Sequence, residues 1–175
     1  MYVLVAYSSR HGATAGIAQR IAQRLTLAGH DAHAVEAREV DDVDGYDAFV
    51  VGSAAYMFHW LKDTTRFVDR YRTVLEMHPV WLFSSGPVGT ELVDDKGRDI
   101  FEASRPKEFE TVGSSVHPRG ERVFFGAWDP DAPAVGLADR FMKLMPAARS
   151  SMPVGDFRDW DAIDAWADEI AGDLG

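Results

Sequence analysis

Tyr2-Val3-Leu4-Val5-Ala6-Tyr7 runs without a break into Ser8-Ser9-Arg10-His11-Gly12-Ala13-Thr14. The first half of this stretch is apolar and rich in valine and aromatic residues, which predicts a buried strand. No basic region precedes it and no cleavage-like stretch follows, so a leader peptide is not expected. Beyond the polar turn, Ile17, Ile21 and Leu25 recur at helical spacing with Ala18, Ala22 and Ala28, while Gln19, Arg20, Gln23 and Arg24 lie elsewhere. That pattern predicts an amphipathic helix, stopped near Gly29. The opening unit is therefore a strand, a hydroxyl-rich turn and a helix.

The same alternation continues outward. Residues 31–36 read as a second strand, and Asp41, Asp42 and Asp44 mark a loop. Residues 46–53 read as a third strand, covered on both faces because Phe49, Val50 and Val51 are consecutive. A helix is expected over 64–77, a strand over 80–83 after Pro79, and a last strand over 122–128 through Val123, Phe124 and Phe125. The tail, 161–174, has an apolar face of Ile163, Trp166, Ala167 and Ile170 and a cap at Asp159 or Asp161. Strands alternating with helices predict an α/β, doubly wound, parallel sheet with helices on both faces. Pro87, Gly89, Gly97, Pro106, Gly113 and Pro118 make the segment between 83 and 122 an expected elaborated loop, with a helical turn or two near 107–112. A second excursion over 129–158 carries one short amphipathic helix around 137–145. At 175 residues the whole chain, 1–175, is expected to be one domain.

Composition removes several classes of function. The 18 basic against 28 acidic residues give a net charge of −10, which repels nucleic acid and anionic lipid at long range. With no cysteine there are no disulfides, thiolate nucleophiles or iron–sulfur clusters, so redox chemistry has to come from a bound cofactor. No apolar segment approaches the roughly 20 residues of a membrane helix, and a cytoplasmic location is expected. His30 and His33 form the one close histidine pair and lack helical i, i+4 spacing, so no metal is assigned.

In an open parallel sheet, ligands sit beyond the carboxyl ends of the strands, so the turns after strands one, three and four carry the functional expectation. The first, Ser8 to Thr14, places hydroxyls and Gly12 at a helix N-terminus, where free amides and the helix dipole attract an anion. Arg10 either adds a cation there or points to solvent. The alternative for the turn itself is a helix capped by Ser8 or Ser9. Neither G-x-G-x-x-G nor G-x-x-x-x-G-K-[ST] occurs, which favours a monophosphate over dinucleotide and triphosphate cradles. The third-strand turn, Gly52-Ser53-Ala54-Ala55-Tyr56-Met57-Phe58-His59-Trp60, has small residues for close approach of a flat ring and aromatic faces to cover it, or aromatics that merely seal the next helix. After the fourth strand, Ser84-Ser85-Gly86-Pro87-Val88-Gly89 is again small and polar, either a ligand-facing loop or a tight turn. Converging on one sheet edge, the three suit a heteroaromatic ring joined to a phosphate.

The run Val5 to Thr14 followed by Ile17, Ala18 and Ile21 resembles the signature of flavodoxin-like FMN-binding proteins. The S-x-R-x-G-x-T core, the Gly52 to His59 loop, Gly126-Ala127, Asp139-Arg140-Phe141-Met142 and Asp159-Trp160 resemble, within that group, the menaquinone-dependent protoporphyrinogen IX dehydrogenase family. The resemblance implies a five-stranded sheet of order 2-1-3-4-5 and FMN as cofactor. It places Ser8, Ser9, Arg10, His11, Gly12, Ala13 and Thr14 around the phosphate. Ser53, Ala54, Ala55, Tyr56, Met57 and Phe58 would flank the ribityl chain and one ring face, Ser84, Ser85, Gly86, Pro87 and Gly89 would line the polar edge of the ring, and Trp128 is a further neighbour. The implied activity is an FMN-dependent oxidoreductase passing electrons from a reduced organic substrate to a quinone-type acceptor, relevant to heme biosynthesis. The alternative is a non-catalytic flavodoxin carrying electrons between redox proteins. No catalytic side chain is expected, because the cofactor carries the chemistry; His59 is the one candidate for assisting proton transfer. The apolar face of Phe141, Leu144 and Met145, beside Arg140 and Lys143, is compatible with peripheral contact with a membrane quinone. A phosphoacceptor domain of the same topology is set aside, since Ser8, Ser9 and Ser53 stand where clustered acids are needed.

Overall fold

A computed structural model describes residues 1–129, 131 and 153–175 of the chain. Five parallel strands form the sheet: β1 (Tyr2–Ser8), β2 (Asp31–Glu36), β3 (Ala48–Tyr56), β5 (Val80–Ser85) and β6 (Gly120–Phe124), in the order β2-β1-β3-β5-β6. A short β4 (His59–Trp60) folds back antiparallel on β3. The order of the five parallel strands is the expected 2-1-3-4-5, with β1 at the point where strand order reverses.

Strand alternation explains the layers. Val3, Val5, Val50, Trp81 and Phe83 face α1 (Ala13–Leu27) and the final helix, here α5 (Trp160–Leu174), which contribute Ile17, Ile21, Leu25, Ile163, Trp166 and Ile170. Leu4, Ala6, Phe49, Val51 and Leu82 face α2 (Lys62–Met77) and α4 (Lys107–Val116) through Phe67, Leu75, Phe109, Val112 and Val116. Across their exposed sides, α1 and α5 are joined by Arg20–Asp164 and Arg24–Asp168 ion pairs. Asp159 caps α5, accepting from the Ala162 amide at 3.0 Å.

Several expected boundaries move. The helix placed at 64–77 starts two residues earlier, at Lys62, and the strand placed at 46–53 runs on to Tyr56 because the β4 hairpin extends it. The expected loop between 83 and 122 holds α3 (Ile100–Ala103) and the full α4. The last strand is not 122–128. β6 ends at Phe124, and the Gly126 amide donates to the Pro87 carbonyl at 2.8 Å. Pro87 has no N–H, so the neighbouring strand cannot extend the ladder. Ala127–Trp128 (β7) then pairs antiparallel with Gly155–Asp156 (β8), a separate ribbon over the sheet edge. The helix expected around 137–145, with its apolar face, lies outside the described residues.

Candidate functional site

At the carboxyl edge of the sheet, β1 delivers its turn to the N-terminus of α1. Gly12 occupies the N-cap with φ of 85°, a left-handed conformation disfavoured for other residues, and no side chain caps the helix. The alternative reading, a cap at Ser8 or Ser9, does not describe this turn: Ser9 Oγ accepts the Gly12 amide at 3.1 Å, and Ser8 Oγ receives the Thr64 hydroxyl at 2.7 Å. The first turn of α1 contains no acidic residue, so its amides and dipole are uncompensated.

This turn forms one wall of a cavity of about 550 Å³, within the range of small-molecule sites. Ser9, Arg10, His11, Ala13 and Thr14 line it from the first turn. Ala54, Ala55, Tyr56 and Met57 line it from the third strand, and Ser85 and Gly86 from the fourth. Thr14 Oγ1 and Ser85 Oγ share a buried hydrogen bond of 2.8 Å, tying the two turns together across the floor. Arg10 lies over the Tyr56 ring at 4.3 Å. Arg10 and His11 are the basic side chains of the lining, and among the described residues it contains no carboxylate although the chain carries 28. An anionic ligand with a flat, apolar portion fits this lining.

Other expected residues stand differently. Ser53 and Ser84 are fully buried beneath the cavity: Ser53 Oγ donates to the Ala54 carbonyl and accepts the Leu61 amide at 3.0 Å, and Ser84 Oγ donates to the Ser53 carbonyl at 3.2 Å. Ser8 is likewise committed to Thr64. Gly12, Pro87 and Gly89 do not line the cavity; Gly12 sets the turn and the Pro87 carbonyl anchors Gly126. Phe58 is outside the lining and 54% exposed, beside Met57 at 89%. Trp128 does line it, as does Val88 from the expected Ser84 to Gly89 loop, together with Gly126 and Ala127, which were not among the expected contacts.

Met57 and Phe58 both have positive φ, 50° and 64°, at the tip of the two-residue β3–β4 hairpin. Asn-Gly usually fills such a turn, so these two apolar side chains are held outward against local preference. α4 braces the hairpin: Glu108 accepts from the Trp60 amide at 3.0 Å and pairs with His59 at 3.1 Å, and the Lys107 amide donates to the Phe58 carbonyl at 3.0 Å. On the far side of Arg10, burial raises the pKa of the Tyr7 phenol, with Glu36 and Glu39 adding to the effect. Below the ribbon, the Arg158 guanidinium hydrogen-bonded to Asp156 lowers that carboxyl.

Residues 4–145 match a family model described as flavodoxin domain. No curated protein matches the chain. Among solved structures, a cysteine-to-serine mutant of flavodoxin from Pseudomonas aeruginosa covers 99% of both chains at 16% identity and a TM-score of 0.61. Oxidised flavodoxin 2 from Bacillus cereus is similar at 19% identity over 99% of both chains, with a TM-score of 0.59. Rubredoxin oxygen:oxidoreductase from Desulfovibrio gigas matches 99% of this chain with 36% of its own, at 13% identity and a TM-score of 0.60. The structures share the fold, and the family match spans most of the sequence. The chain belongs to the flavodoxin domain family, whose fold implies FMN as the cofactor.

Proposed function

We propose that this chain binds FMN in the cavity between the β1, β3 and β5 turns and serves as an electron carrier between redox proteins. The observation that carries the reading is a cavity whose described lining holds no carboxylate, opening at an uncapped helix N-terminus, in a chain of net charge −10. Ser9, Arg10, His11 and the first-turn amides of α1 would hold the phosphate, with Thr14 and Ser85 beneath it. Ala54, Ala55, Tyr56 and Met57 on one side, and Gly86, Val88 and Trp128 on the other, would confine the ring system. Bound FMN supplies reversible one- and two-electron transfer; the chain supplies burial, orientation and exclusion of water. The acidic surface would then steer a basic partner toward the cavity mouth.

A second reading is an FMN-dependent oxidoreductase of the protoporphyrinogen dehydrogenase type with a quinone acceptor. Exposed Met57 and Phe58 favour it, since they offer apolar surface at the rim for a small apolar substrate. Two measurements separate the readings. FMN titrated into the apoprotein should bind with quenched flavin fluorescence, and the loaded protein should exchange electrons with a flavodoxin reductase at a rate that falls with salt. Steady-state oxidation of protoporphyrinogen or reduction of a menaquinone analogue would favour the enzyme instead. Failure to bind FMN removes both.

A further inference from the structure

We infer that Arg158 is a positioning residue for the anion-binding turn, docked on the back of the first turn of α1 in a slot that Gly16 keeps open; this rests on the FMN reading above. Gly16 lies inside α1, where alanine would be favoured by about 1 kcal/mol. A Cβ built on Gly16 would fall 2.4 Å from Arg158 Nη1 and 3.6 Å from the Trp160 ring, so a methyl group and this guanidinium cannot occupy the same place. Arg158 Nη1 donates to the Ala13 carbonyl at 3.3 Å, while Ala13 and Thr14 line the cavity on the other side of the same turn.

The guanidinium is held from three directions. Its Nε and Nη2 donate to the two carboxylate oxygens of Asp156 at 2.8 and 2.6 Å, it lies 4.5 Å over the Trp160 ring, and its side chain is only 18% exposed. Asp156 belongs to β8, whose partner β7 carries Trp128 into the cavity. One side chain thus links the ribbon at the ring end of the cavity to the turn at its anion end. A cation beside a helix N-terminus opposes the helix dipole; Asp156 offsets part of the Arg158 charge, and α1 has no first-turn acid to add to it. An anion seated on the turn reverses that balance, so the arrangement favours the occupied site.

Comparing FMN with riboflavin isolates the phosphate. Affinities of both are measured by flavin fluorescence quenching on the full chain, with circular dichroism to establish that each variant is folded. In Arg158→Ala, FMN affinity is expected to fall about tenfold while riboflavin affinity changes by less than about twofold. Gly16→Ala should produce the same loss of discrimination although it improves helix propensity, and should add no further loss in an Arg158→Ala background. A purely structural Arg158 would weaken both ligands alike. An unchanged FMN-to-riboflavin ratio in folded Gly16→Ala or Arg158→Ala overturns the inference alone. A wild-type chain that binds no FMN overturns the FMN reading and the inference together.

Discussion

Replacing Thr14 by valine removes one hydroxyl and keeps the volume of the side chain. In the native chain that hydroxyl meets Ser85 Oγ at 2.8 Å, and the two residues are 1% and 4% exposed. The valine leaves the Ser85 hydroxyl buried without this partner, at a cost of about 1–3 kcal/mol in the apoprotein. For a domain of this length each kcal/mol moves the melting midpoint by roughly 2–4 °C, so a drop of about 2–12 °C is expected. Ser85→Ala alone should cost a similar amount, and Thr14→Val with Ser85→Ala less than the sum, because the double variant leaves neither hydroxyl stranded. Thermal and urea unfolding of the apoproteins measure these quantities. The same variants titrated with FMN test the cavity floor: Thr14→Val should weaken FMN more than riboflavin. Strictly additive stabilities would mean that the two hydroxyls do not interact, and unchanged FMN affinity would mean that the phosphate lies elsewhere.

Other perturbations follow from single contacts. A methyl group on Gly52, in the middle of β3, would sit 2.0 Å from the Phe83 ring, so Gly52→Ala should destabilise the domain by about 1–3 kcal/mol in urea unfolding. Glu108→Ala removes the acceptor shared by His59 and the Trp60 amide; hydrogen exchange should accelerate at 57–60 while the core amides of β1 and β3 stay protected. The Arg20 guanidinium lowers the Asp164 carboxyl below its ordinary value of 3.8, so the ionised form is favoured by folding. The stabilisation from that pair is fully present above the unfolded-state value and is lost as pH falls through the lower folded-state value. Asp164→Asn should therefore reduce the melting midpoint at neutral pH, and the gap to wild type should close in strong acid.

The core strands were legible because burial on both faces leaves continuous apolar runs, as in Phe49-Val50-Val51, and α1 because its apolar period is strict. The turns were placed at the right edge of the sheet, but which side chains face the cavity depends on where each strand stops. β3 and β5 run past the expected ends, and the register pairs Ser53 with Ser84 and Ala54 with Ser85. Strand parity then turns Ser53 and Ser84 to the face covered by α2 and leaves Ala54 and Ser85 toward the cavity. The hairpin at Met57 and Phe58 carries no Asn-Gly signal, since tertiary bracing by Glu108 and Lys107 replaces local turn chemistry. The end of β6 and the entry of Gly126 and Ala127 into the lining depend on a carbonyl contributed by Pro87, almost forty positions earlier in the chain, a pairing that local periodicity does not encode.

α5 closes the fold against α1. It starts beside the first turn of α1, where Arg158 reaches Ala13, and descends to Asp173, whose carbonyl accepts from Arg119 near the beginning of β5. Tyr2 opens β1 on that same lower rim, about 20 Å of strand away from the mouth of the cavity. An affinity tag or a surface linker attached at Met1 or Gly175 would hang from the underside and leave the mouth of the cavity unobstructed.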